Sequence, residues 1–450
     1  MEMNSEKYDV AVIGGGPGGF GAAVAAGRMD QRVTLIEAHD ILGGAGTTAL
    51  VNNFCNAYWD GNRFIIGGIF SEIRNRLIGR KAMWTTRGPN TEDKVGQEFY
   101  DPDQYADELE IMCRQADVDL QLSRRCIGAS FENERTVLEL DDGESIESRT
   151  IVDATGDAML ANQAGVPTTM GRGDEGKVQP LTYCYMFGPV DLEKLGDAFP
   201  SAIQYDENIG TKYGAPSYVE EVCEMVRRDV ESGKLDIPVP TLYGTMSVPG
   251  REKNMTTNFN HMVVDDPTNP DELERATEDG KRQMREGIRW FRENLPGFEE
   301  VEVIEHPRQI GVRESRQIHG LYRLDSEDII RRRQFDDVIA QCCFNIDIHP
   351  NDLDRQERIE GGRIGEEEHY DIPWRSLIPK DGPSNLVVAG RCISATSEAM
   401  ASFRVSPSVM AVGEAAGVTA VMAAERDCPM RSVDSSVVQK RLRETGGILF

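Results

Sequence analysis

The stretch YDVAVIGGGPGGFGAAVAAG, residues 8–27, decides the fold. An apolar run enters a turn that carries Gly14, Gly16 and Gly19 in the spacing GxGxxG, and a helix begins at Pro17. Glycine allows the backbone to turn sharply here, to approach a pyrophosphate and to pack a helix tightly on a strand. The start of the helix offers free N–H groups and a partial positive charge to an anion. The stretch therefore predicts a dinucleotide site, and a tight turn without a ligand is the alternative.

A carboxylate closes the strand that follows. The run QRVTLIE ends at Glu37, where the carboxylate can accept from both ribose hydroxyls. Its negative charge disfavours a 2′-phosphate, so NADP is not expected at this site. A second glycine pair, Gly43 and Gly44, comes shortly afterwards, with Thr47 and Thr48 close behind it. We interpret this pair as a second turn that approaches the nucleotide, with the threonines lining the pocket; an ordinary loop is the alternative.

Length and charge narrow the class of protein. The chain has 450 residues, which favours two domains over one core. The formal net charge of −27 argues against nucleic acid and anionic membrane surfaces as partners, since both need a basic footprint. Such acidity fits a high-salt host, or simply a well-solvated surface. No window reaches the roughly 18 apolar residues of a membrane helix, and the start MEMNSEKYD lacks the features of a signal peptide. We therefore expect a cytoplasmic protein.

The cysteines indicate no metal site. The nine cysteines include no CxxC pair, so zinc spacing and the close pair of a disulfide reductase are both lacking. We expect reduced thiols that lie mostly in the core, with Cys55 and Cys392 as packing residues.

Periodicity predicts an α/β fold. We expect helices over residues 17–27, 101–117 and 270–294, and a late helix with Ser406 as N-cap and Pro407 at its first position. The Ala and Gly content of this late helix suggests close packing against a sheet. Short strands are expected in VDLQL, CIGASFE, RTVLELDDGESIES and TIVDATG, with a hairpin turn at Asp142-Gly143. The alternating run LTYCYMF, residues 181–187, is expected in the core rather than at a cofactor.

Two further segments extend the nucleotide pattern. The run TIVDATGDA resembles the strand end that crosses near the cofactor in flavoproteins with two dinucleotide-binding domains. The run NLVVAGRCIS resembles their C-terminal strand and turn, with Arg391 where an acidic residue is usual. We therefore expect the chain to leave the nucleotide domain, build a substrate domain, and return to complete the flavin end.

On these motifs, together with GVRESRQIHGLYRL, NIDIHP, YDIPWRSLIPK and the run from NLVVAG to GEAAG, the chain resembles the FAD-dependent oxidoreductases of the glutathione-reductase-like superfamily. Related groups are the fumarate-reductase-type flavoproteins and the flavin subunit of heterodisulfide reductase. The resemblance implies a Rossmann-like FAD-binding domain, with a central parallel sheet and a β-meander, plus an inserted mixed α+β substrate domain. The expected parts are residues 1–165 and 375–430 for the FAD domain, 166–374 for the substrate domain and 431–450 for a peripheral tail.

The resemblance also implies noncovalent FAD. No second GxGxxG, no iron–sulfur cysteine run and no covalent histidine motif is visible, since the surroundings of His39 do not match. The helix from Pro407 is expected to aim its N-terminus at the flavin. The residues expected to contact FAD are Gly14, Gly16, Pro17, Gly18, Gly19, Glu37, Ala38, Gly43, Gly44, Thr47, Ala154, Gly156, Asp157, Gly390, Arg391, Ser406 and Pro407.

Flavin chemistry on an organic substrate needs a base and a cationic group. The sequence offers His349 at the end of the strand-like run FNIDIH, and Arg313 and Arg404 as anion-binding groups. For each there is a structural alternative: a histidine bonded to backbone, a salt-bridge network centred on Glu314, or surface solvation. His319 is a weaker candidate.

The expected function is that of a dehydrogenase or reductase that moves a hydride between flavin N5 and a small polar organic substrate. A flavin monooxygenase is an alternative, and so is an electron-transfer subunit without its own substrate. The electron acceptor is left unidentified, and a homo-oligomer is left open. No nucleic acid, membrane or metal is expected as a partner.

Overall fold

The computed structural model describes residues 6–61, 63–85, 98–131, 135–173, 176–238, 242–349, 362–365 and 367–450. The chain start used to exclude a signal peptide includes residues 1–5, which lie outside the described residues. The same holds for the last residues of the quoted runs CIGASFE and NIDIHP.

The described residues include strands and helices from one end of the chain to the other. The strands are β1 Glu6–Ile13, β2 Val33–Glu37, β3 Asn53–Phe54, β4 Glu98–Phe99, β5 Asp119–Leu122, β6 Cys126–Phe131, β7 Thr136–Leu140, β8 Ser145–Asp153, β9 Thr168–Met170, β10 Tyr185–Gly188, β11 Ile203–Asp206, β12 Thr211–Gly214, β13 Tyr243–Val248, β14 Arg251–Asn258, β15 Glu302–Glu305, β16 Arg316–Ile318, β17 Val338–Cys342, β18 Tyr370–Pro373 and β19 Leu386–Val388. The α-helices are α1 Pro17–Gly27, α2 Gly68–Gly79, α3 Pro102–Gln115, α4 Met159–Gln163, α5 Leu192–Ala198, α6 Glu220–Glu231, α7 Pro270–Asn294, α8 Ser326–Ile330, α9 Ser397–Phe403, α10 Ser406–Arg426 and α11 Ser435–Glu444.

Strand β8 joins the two ends of the chain in one sheet. The sheet runs β5-β2-β1-β8-β7-β6, and β19 pairs with β8. In the second half of β8, Val152 pairs in parallel with Val12 of β1 on one side and with Val387 of β19 on the other. In its first half, Ser148 pairs in antiparallel fashion with Thr136 of β7. The parallel sheet and the β6-β7-β8 meander confirm the predicted Rossmann-like fold.

The sequence pattern predicted most of the helices and strands, but two predicted strand segments are joined in one strand. Helices α1 and α7 have the predicted bounds. Helix α3 starts one residue later than predicted because Asp101 is its N-cap, with a carboxylate that accepts from the N–H groups of Asp103 and Gln104 at 2.9 and 3.1 Å. The prediction of separate strands in residues 135–148 and 150–156 is wrong in part, since a single strand, β8, continues through the junction.

Helix α10 is buried along most of its length. It packs on α1 as well as on β8 and β1, and a Cβ on Gly413 or Gly417 would collide with the backbone of α1 at Gly18 or Ala22. The predicted N-cap is wrong by one residue: Val405 is the N-cap, and no side chain caps the helix. By length and composition this helix could cross a membrane, contrary to the sequence reading, but 94% of its apolar window is buried inside the protein.

Two main cores fill the chain. The larger core surrounds the parallel sheet and takes in Val438 and Leu442 of α11. The second core is formed by residues between 181 and 310, and lies between the antiparallel sheet β13-β14-β10-β15 and helices α6 and α7. The alternating side chains of LTYCYMF are buried in this second core, as predicted. The domain limits drawn from the sequence remain predictions.

Candidate functional site

The first glycine turn leaves a helix start open to a ligand. Gly14 has φ +102°, a conformation that favours glycine, and its N–H donates to the carbonyl of Ile36 at 2.8 Å. Gly16 is the N-cap of α1, and no side chain caps the helix. A Cβ placed on Gly16 would have only the Cα of Gly44 within 4 Å, at 3.9 Å. Free N–H groups and open space therefore coincide at this turn, the combination that phosphate binding needs.

Glu37 stands at the end of β2, as predicted, and its carboxylate organises two turns. One oxygen accepts from the N–H of Gly15 at 2.6 Å and the other from the N–H of His39 at 2.8 Å. The second glycine turn is tied to the first through the N–H of Gly43, which donates to the carbonyl of Gly15 at 2.9 Å. The two glycine turns and Glu37 thus form one rigid unit next to Ala38.

The threonines after the second turn bond within that turn. The hydroxyl of Thr47 donates to the carbonyl of Leu42 at 2.7 Å, and the hydroxyl of Thr48 donates to the carbonyl of Gly44 at 2.8 Å. Both side chains are buried. They stabilise the turn, and each hydroxyl proton is already used there.

The loop after β8 meets the turn after β19. Arg391 donates to the carboxylate of Asp157 at 2.5 Å, and Asp157 also accepts from the hydroxyl of Ser315 at 2.6 Å. A Cβ on Gly18 would lie 3.0 Å from the backbone nitrogen of Gly390, whereas a Cβ on Gly390 itself would have no atom within 4 Å. The turns from the start and the end of the chain therefore border one open space.

The residues present fit a dinucleotide with a flavin. The N-termini of α1 and α10 have no side-chain cap, and the backbone of Gly16 and of Gly390 borders open space. The Nε of Arg391 is buried without a hydrogen-bond partner. All of these features belong to the residues predicted from the sequence to contact FAD. Ser406 and Pro407 form the first turn of α10, and Ala154 and Gly156 border the crossing loop after β8. The predicted contacts of individual residues with the cofactor remain predictions.

A second cluster joins polar side chains from distant parts of the chain. His349 Nε2 is 3.2 Å from Asp347 Oδ2, and His349 Nδ1 is 3.1 Å from Nε2 of His261. Arg404 donates to the backbone carbonyl of Asp347 at 3.2 Å, and its guanidinium lies 3.7 Å from the carboxylate. The ring of Tyr243 stands edge-on to His349, with the ring centroids 5.5 Å apart.

The electrostatics of this cluster keep its histidines neutral. Burial and the positive charge of Arg313 lower the pKa of His349 to about 4, against the opposing effect of Asp347. Burial and Arg313 also hold the pKa of His261 well below its usual range. Although burial acts the other way, the ring of His349 and the nearby guanidinium groups hold the pKa of Asp347 below its usual range. At neutral pH the cluster therefore contains a carboxylate and two uncharged imidazoles.

Arg313 is buried against neutral acceptors. It donates to the carbonyl of Pro180 at 2.7 Å and to the side-chain oxygen of Asn258 at 3.1 Å. Burial and the charge of Arg404 lower the pKa of Arg313 to about 10. The alternative of a salt-bridge network around Glu314 does not describe these contacts, because Glu314 accepts from the N–H of Gln179 at 3.0 Å.

The three residues predicted for catalysis come together from distant parts of the chain. Arg313 precedes β16, His349 follows β17, and Arg404 occupies the junction between α9 and α10. The strand-like run predicted up to His349 is wrong, since β17 ends at Cys342 and the residues after it are irregular. Their catalytic roles stay a prediction.

The sequence analysis did not identify Asp347 and His261 as members of the cluster, and it named one histidine, His319, that lies elsewhere. Asp347 alternates with His349 in the run DIH, which was the available signal, whereas nothing local marks His261. The weaker candidate His319 is exposed and lies 2.7 Å from the hydroxyl of Thr169, apart from the cluster. Burial raises the pKa of Cys55 and of Cys392 to about 12, in line with the packing role predicted for both thiols.

Fold and site together define a redox enzyme that binds a dinucleotide. The sequence profile of the family described as FAD dependent oxidoreductase matches residues 9–442. The chain belongs to this family, and its cofactor is FAD. It is an FAD-dependent oxidoreductase.

Curated relatives match only a short segment. A segment of 39 residues is 51% identical to dihydrolipoyl dehydrogenase 3 of Pseudomonas aeruginosa. The segment makes up 9% of this chain and 8% of that protein. A segment of 42 residues is 49% identical to the mitochondrial dihydrolipoyl dehydrogenase of Dictyostelium discoideum, 9% of each chain. The match spans less than a tenth of either relative, so their activity is not transferred to this chain.

Solved structures resemble the chain over most of its length at low identity. A geranylgeranyl bacteriochlorophyll reductase-like protein from Thermoplasma acidophilum has a TM-score of 0.46 and 14% identity, with 98% of this chain and 85% of that chain covered. L-proline dehydrogenase from P. horikoshii has a TM-score of 0.44 and 11% identity, with 98% of each chain covered. Both scores are below 0.5, so neither structure bears on the substrate.

Proposed function

We propose that this FAD-dependent oxidoreductase is a dehydrogenase that takes a hydride from a small polar molecule carrying an anionic group. The observation that carries the proposal is Arg313. It is a buried guanidinium whose hydrogen-bond partners, Pro180 and Asn258, are both neutral. The charge of Asp347 acts on both Arg313 and Arg404, so Arg313 has no counter-charge of its own. Burying such a charge is costly, and a guanidinium pairs well with a carboxylate through two parallel hydrogen bonds. An anionic substrate would supply that missing charge.

The other residues of the cluster suit the handling of a proton. Loss of a hydride from a carbon that bears a hydroxyl or amino group requires a proton to leave the attached oxygen or nitrogen. His349 is neutral at pH 7 and held by the ionised Asp347, so the ring can accept a proton. Arg404, fixed to the backbone of Asp347, adds positive charge where an oxyanion would develop.

FAD, when bound, would supply the hydride acceptor at its N5 atom. We propose that Gly16, Gly18 and the start of α1 hold the pyrophosphate, and that Glu37 holds the ribose. Arg391 and the start of α10 would lie toward the flavin end. The ion pair of Arg391 with Asp157, and the bond from Asp157 to Ser315, connect this end to the segment that carries Arg313.

The narrower placement and the setting are also proposals. The motif set supports a position in the glutathione-reductase-like superfamily, near the fumarate-reductase-type flavoproteins. A cytoplasmic setting is part of this proposal, and the lack of a second GxGxxG in the sequence supports an electron acceptor other than NAD(P)H.

Anaerobic bleaching of the FAD-loaded protein tests the substrate class. Each 2-hydroxy acid and 2-amino acid is compared with its amide, which lacks the carboxylate, and we expect the flavin to bleach with the acid and not with the amide. Arg313→Gln should abolish this preference, whereas Arg316→Gln should keep it, because Arg316 bonds only the hydroxyl of Thr268, at 2.7 Å, among the contacts described. Equal bleaching by acids and amides would contradict the proposal.

A further inference from the structure

Both ring nitrogens of His349 are engaged inside the protein. Nε2 faces the carboxylate of Asp347 at 3.2 Å, and Nδ1 faces Nε2 of His261 at 3.1 Å. A base that takes a proton directly from a substrate needs a lone pair directed at that substrate. In this arrangement His349 has none to offer.

The ionised Asp347 fixes the direction of the hydrogen bonds that connect it to His349 and His261. A carboxylate only accepts, so the proton of neutral His349 lies on Nε2 and its Nδ1 carries the lone pair. That lone pair must accept from His261, so the proton of neutral His261 also lies on Nε2. The donors therefore run in one direction, from His261 to His349 to Asp347.

The hydrogen-bonded series of His261, His349 and Asp347 has two free ends. Asp347 is half-exposed, with 45% of its side chain accessible. His261 is 2% exposed, and its Nδ1 is buried without a hydrogen-bond partner. The backbone of His261 is clamped by the side chain of Gln283, which accepts from its N–H at 3.3 Å and donates to its carbonyl at 3.0 Å. The free lone pair of the cluster is thus held in a fixed place at its buried end.

We propose that His261, His349 and Asp347 form a proton relay, and that the substrate proton enters at Nδ1 of His261. This inference rests on the proposed dehydrogenase function. As Nδ1 of His261 gains a proton, its Nε2 proton passes to Nδ1 of His349, and the Nε2 proton of His349 passes to Asp347 and on to solvent. One proton enters and one leaves, and the charge of the relay is unchanged. The starting tautomers return by the reverse passage, in which Asp347 takes up a proton from solvent and Nδ1 of His261 releases one after the product has left.

The surroundings keep the relay from trapping a proton. The charged and titratable groups that act on the two rings are Arg313, Arg404 and Asp347, and the ring of Tyr243 forms a T-shaped pair with each of them. The two guanidinium groups disfavour a lasting imidazolium on either ring. A proton is therefore passed on rather than held, which a relay in a buried site requires.

Nitrogen NMR of the protein labelled at its six histidines tests the direction of the relay without any substrate. We expect the signals of both His261 and His349, assigned with single His→Gln variants, to show the Nε2–H tautomer at pH 7. A protonated Nδ1 on His261 would reverse the chain and overturn the proposal, whatever reaction the enzyme catalyses.

Variants of His261 test the relay during flavin reduction. Gln can still donate a hydrogen bond to His349 but cannot pass a proton on. His261→Gln should slow flavin reduction by about 100-fold while the protein keeps its fold and its FAD. His261→Ala should regain activity with added imidazole. In wild type, the reduction rate plotted against the fraction of heavy water should curve, because several protons move together, and the plot should become linear in His261→Gln.

A matched control is His319→Gln, an exposed histidine outside the cluster, which should leave the rate unchanged. Full activity of His261→Gln, or a straight plot in wild type, would overturn the relay even if acids reduce the flavin as proposed. Failure of every acid to bleach the flavin would instead contradict the proposed function, and the tautomers measured by NMR would then decide the relay alone.

Discussion

The guanidinium of Arg391 lies 2.5 Å from the carboxylate of Asp157, and this ion pair connects the loop after β8 with the glycine turn after β19. The two strands are neighbours in the parallel sheet, so their carboxyl ends meet at one edge. The side chain of Arg391 is 22% exposed, and its Nε has no hydrogen-bond partner. The pair thus holds the guanidinium of Arg391 beside the turn that carries Gly390.

Arg391→Ala is expected to weaken FAD binding by about 10- to 100-fold, the equivalent of one charge-assisted hydrogen bond. Titration of the apoprotein with FAD, followed by flavin fluorescence, measures the change. Because the ion pair of Arg391 with Asp157 is partly exposed, its loss should lower the free energy of unfolding by less than about 1 kcal/mol.

Arg124→Ala is the control for that substitution, because Arg124 forms ion pairs with Asp142 and Glu144 in a surface hairpin. It should leave FAD affinity unchanged. If Arg391→Ala bound FAD as tightly as Arg124→Ala does, Arg391 would be a purely structural link between two loops.

Gly16→Val is expected to abolish FAD binding while the protein still folds. Gly16 has φ −68°, which valine can adopt, and a Cβ there meets no atom closer than 3.9 Å. The added methyl groups would occupy the space that a pyrophosphate needs, and we expect a loss of at least about 3 kcal/mol, or more than 100-fold, in FAD affinity. Isothermal titration with FAD measures the affinity, and circular dichroism confirms the fold.

Gly79→Val provides the comparison, since Gly79 lies at the end of α2 and a Cβ there would meet no atom within 4 Å. It should bind FAD like wild type. Equal FAD occupancy in the two valine variants would show that the pyrophosphate does not lie over Gly16.

The sequence located the nucleotide-binding elements well because their determinants are local. A GxGxxG turn, a strand that ends in Glu37 and a helix that starts at Pro17 all follow from residues close in sequence. The return of the chain to the sheet at β19 was also predicted from pattern. It could not be predicted that β8 carries both β7 and β19 on one side, because that pairing depends on which half of a long strand each neighbour meets.

The catalytic cluster depends on contacts across the chain. His261 follows β14 and His349 follows β17, and their bond brings together residues 88 positions apart. A lone histidine after a strand carries no sign of its partner, so the sequence indicated His349 and the arginines by residue type but missed His261. Asp347 could have been found from its alternation with His349.

Stability should fall as the pH is lowered from about 6.5 to about 4. The folded protein holds the pKa of His349 at about 4, below the value of about 6.5 in an unfolded chain. In this window the unfolded state binds the extra proton, so the free energy of unfolding decreases with falling pH, by up to about 3 kcal/mol for this group. Below about pH 4 the contribution is lost. Urea unfolding of wild type and His349→Gln at pH 7 and pH 4.5 measures the difference.

The variant should lose less stability on acidification than wild type does. His319→Gln, which removes an exposed histidine, should follow wild type. Parallel acid profiles for wild type and His349→Gln would mean that folding leaves the pKa of His349 unchanged.

Glu414→Gln is expected to stabilise the protein at pH 7.5 and not at pH 4.5. Glu414 is 4% exposed, and it accepts from the N–H of Ile69 at the start of α2 at 3.1 Å and from the hydroxyl of Thr445 at 3.0 Å. Burial raises its pKa to about 6, so the folded protein binds a proton that the unfolded chain, near 4.5, has released. Stability from this group is therefore full below about pH 4.5 and lost as the pH rises through about 6, at a cost of about 2 kcal/mol at neutral pH.

Gln keeps an acceptor for Ile69 and carries no charge, so urea unfolding at the two pH values should show that Glu414→Gln is more stable than wild type only at the higher pH. Glu414→Ala, which removes both hydrogen bonds, should be destabilised at both. A Gln variant less stable than wild type at pH 7.5 would show instead that the ionised carboxylate stabilises the start of α2 by more than its burial costs.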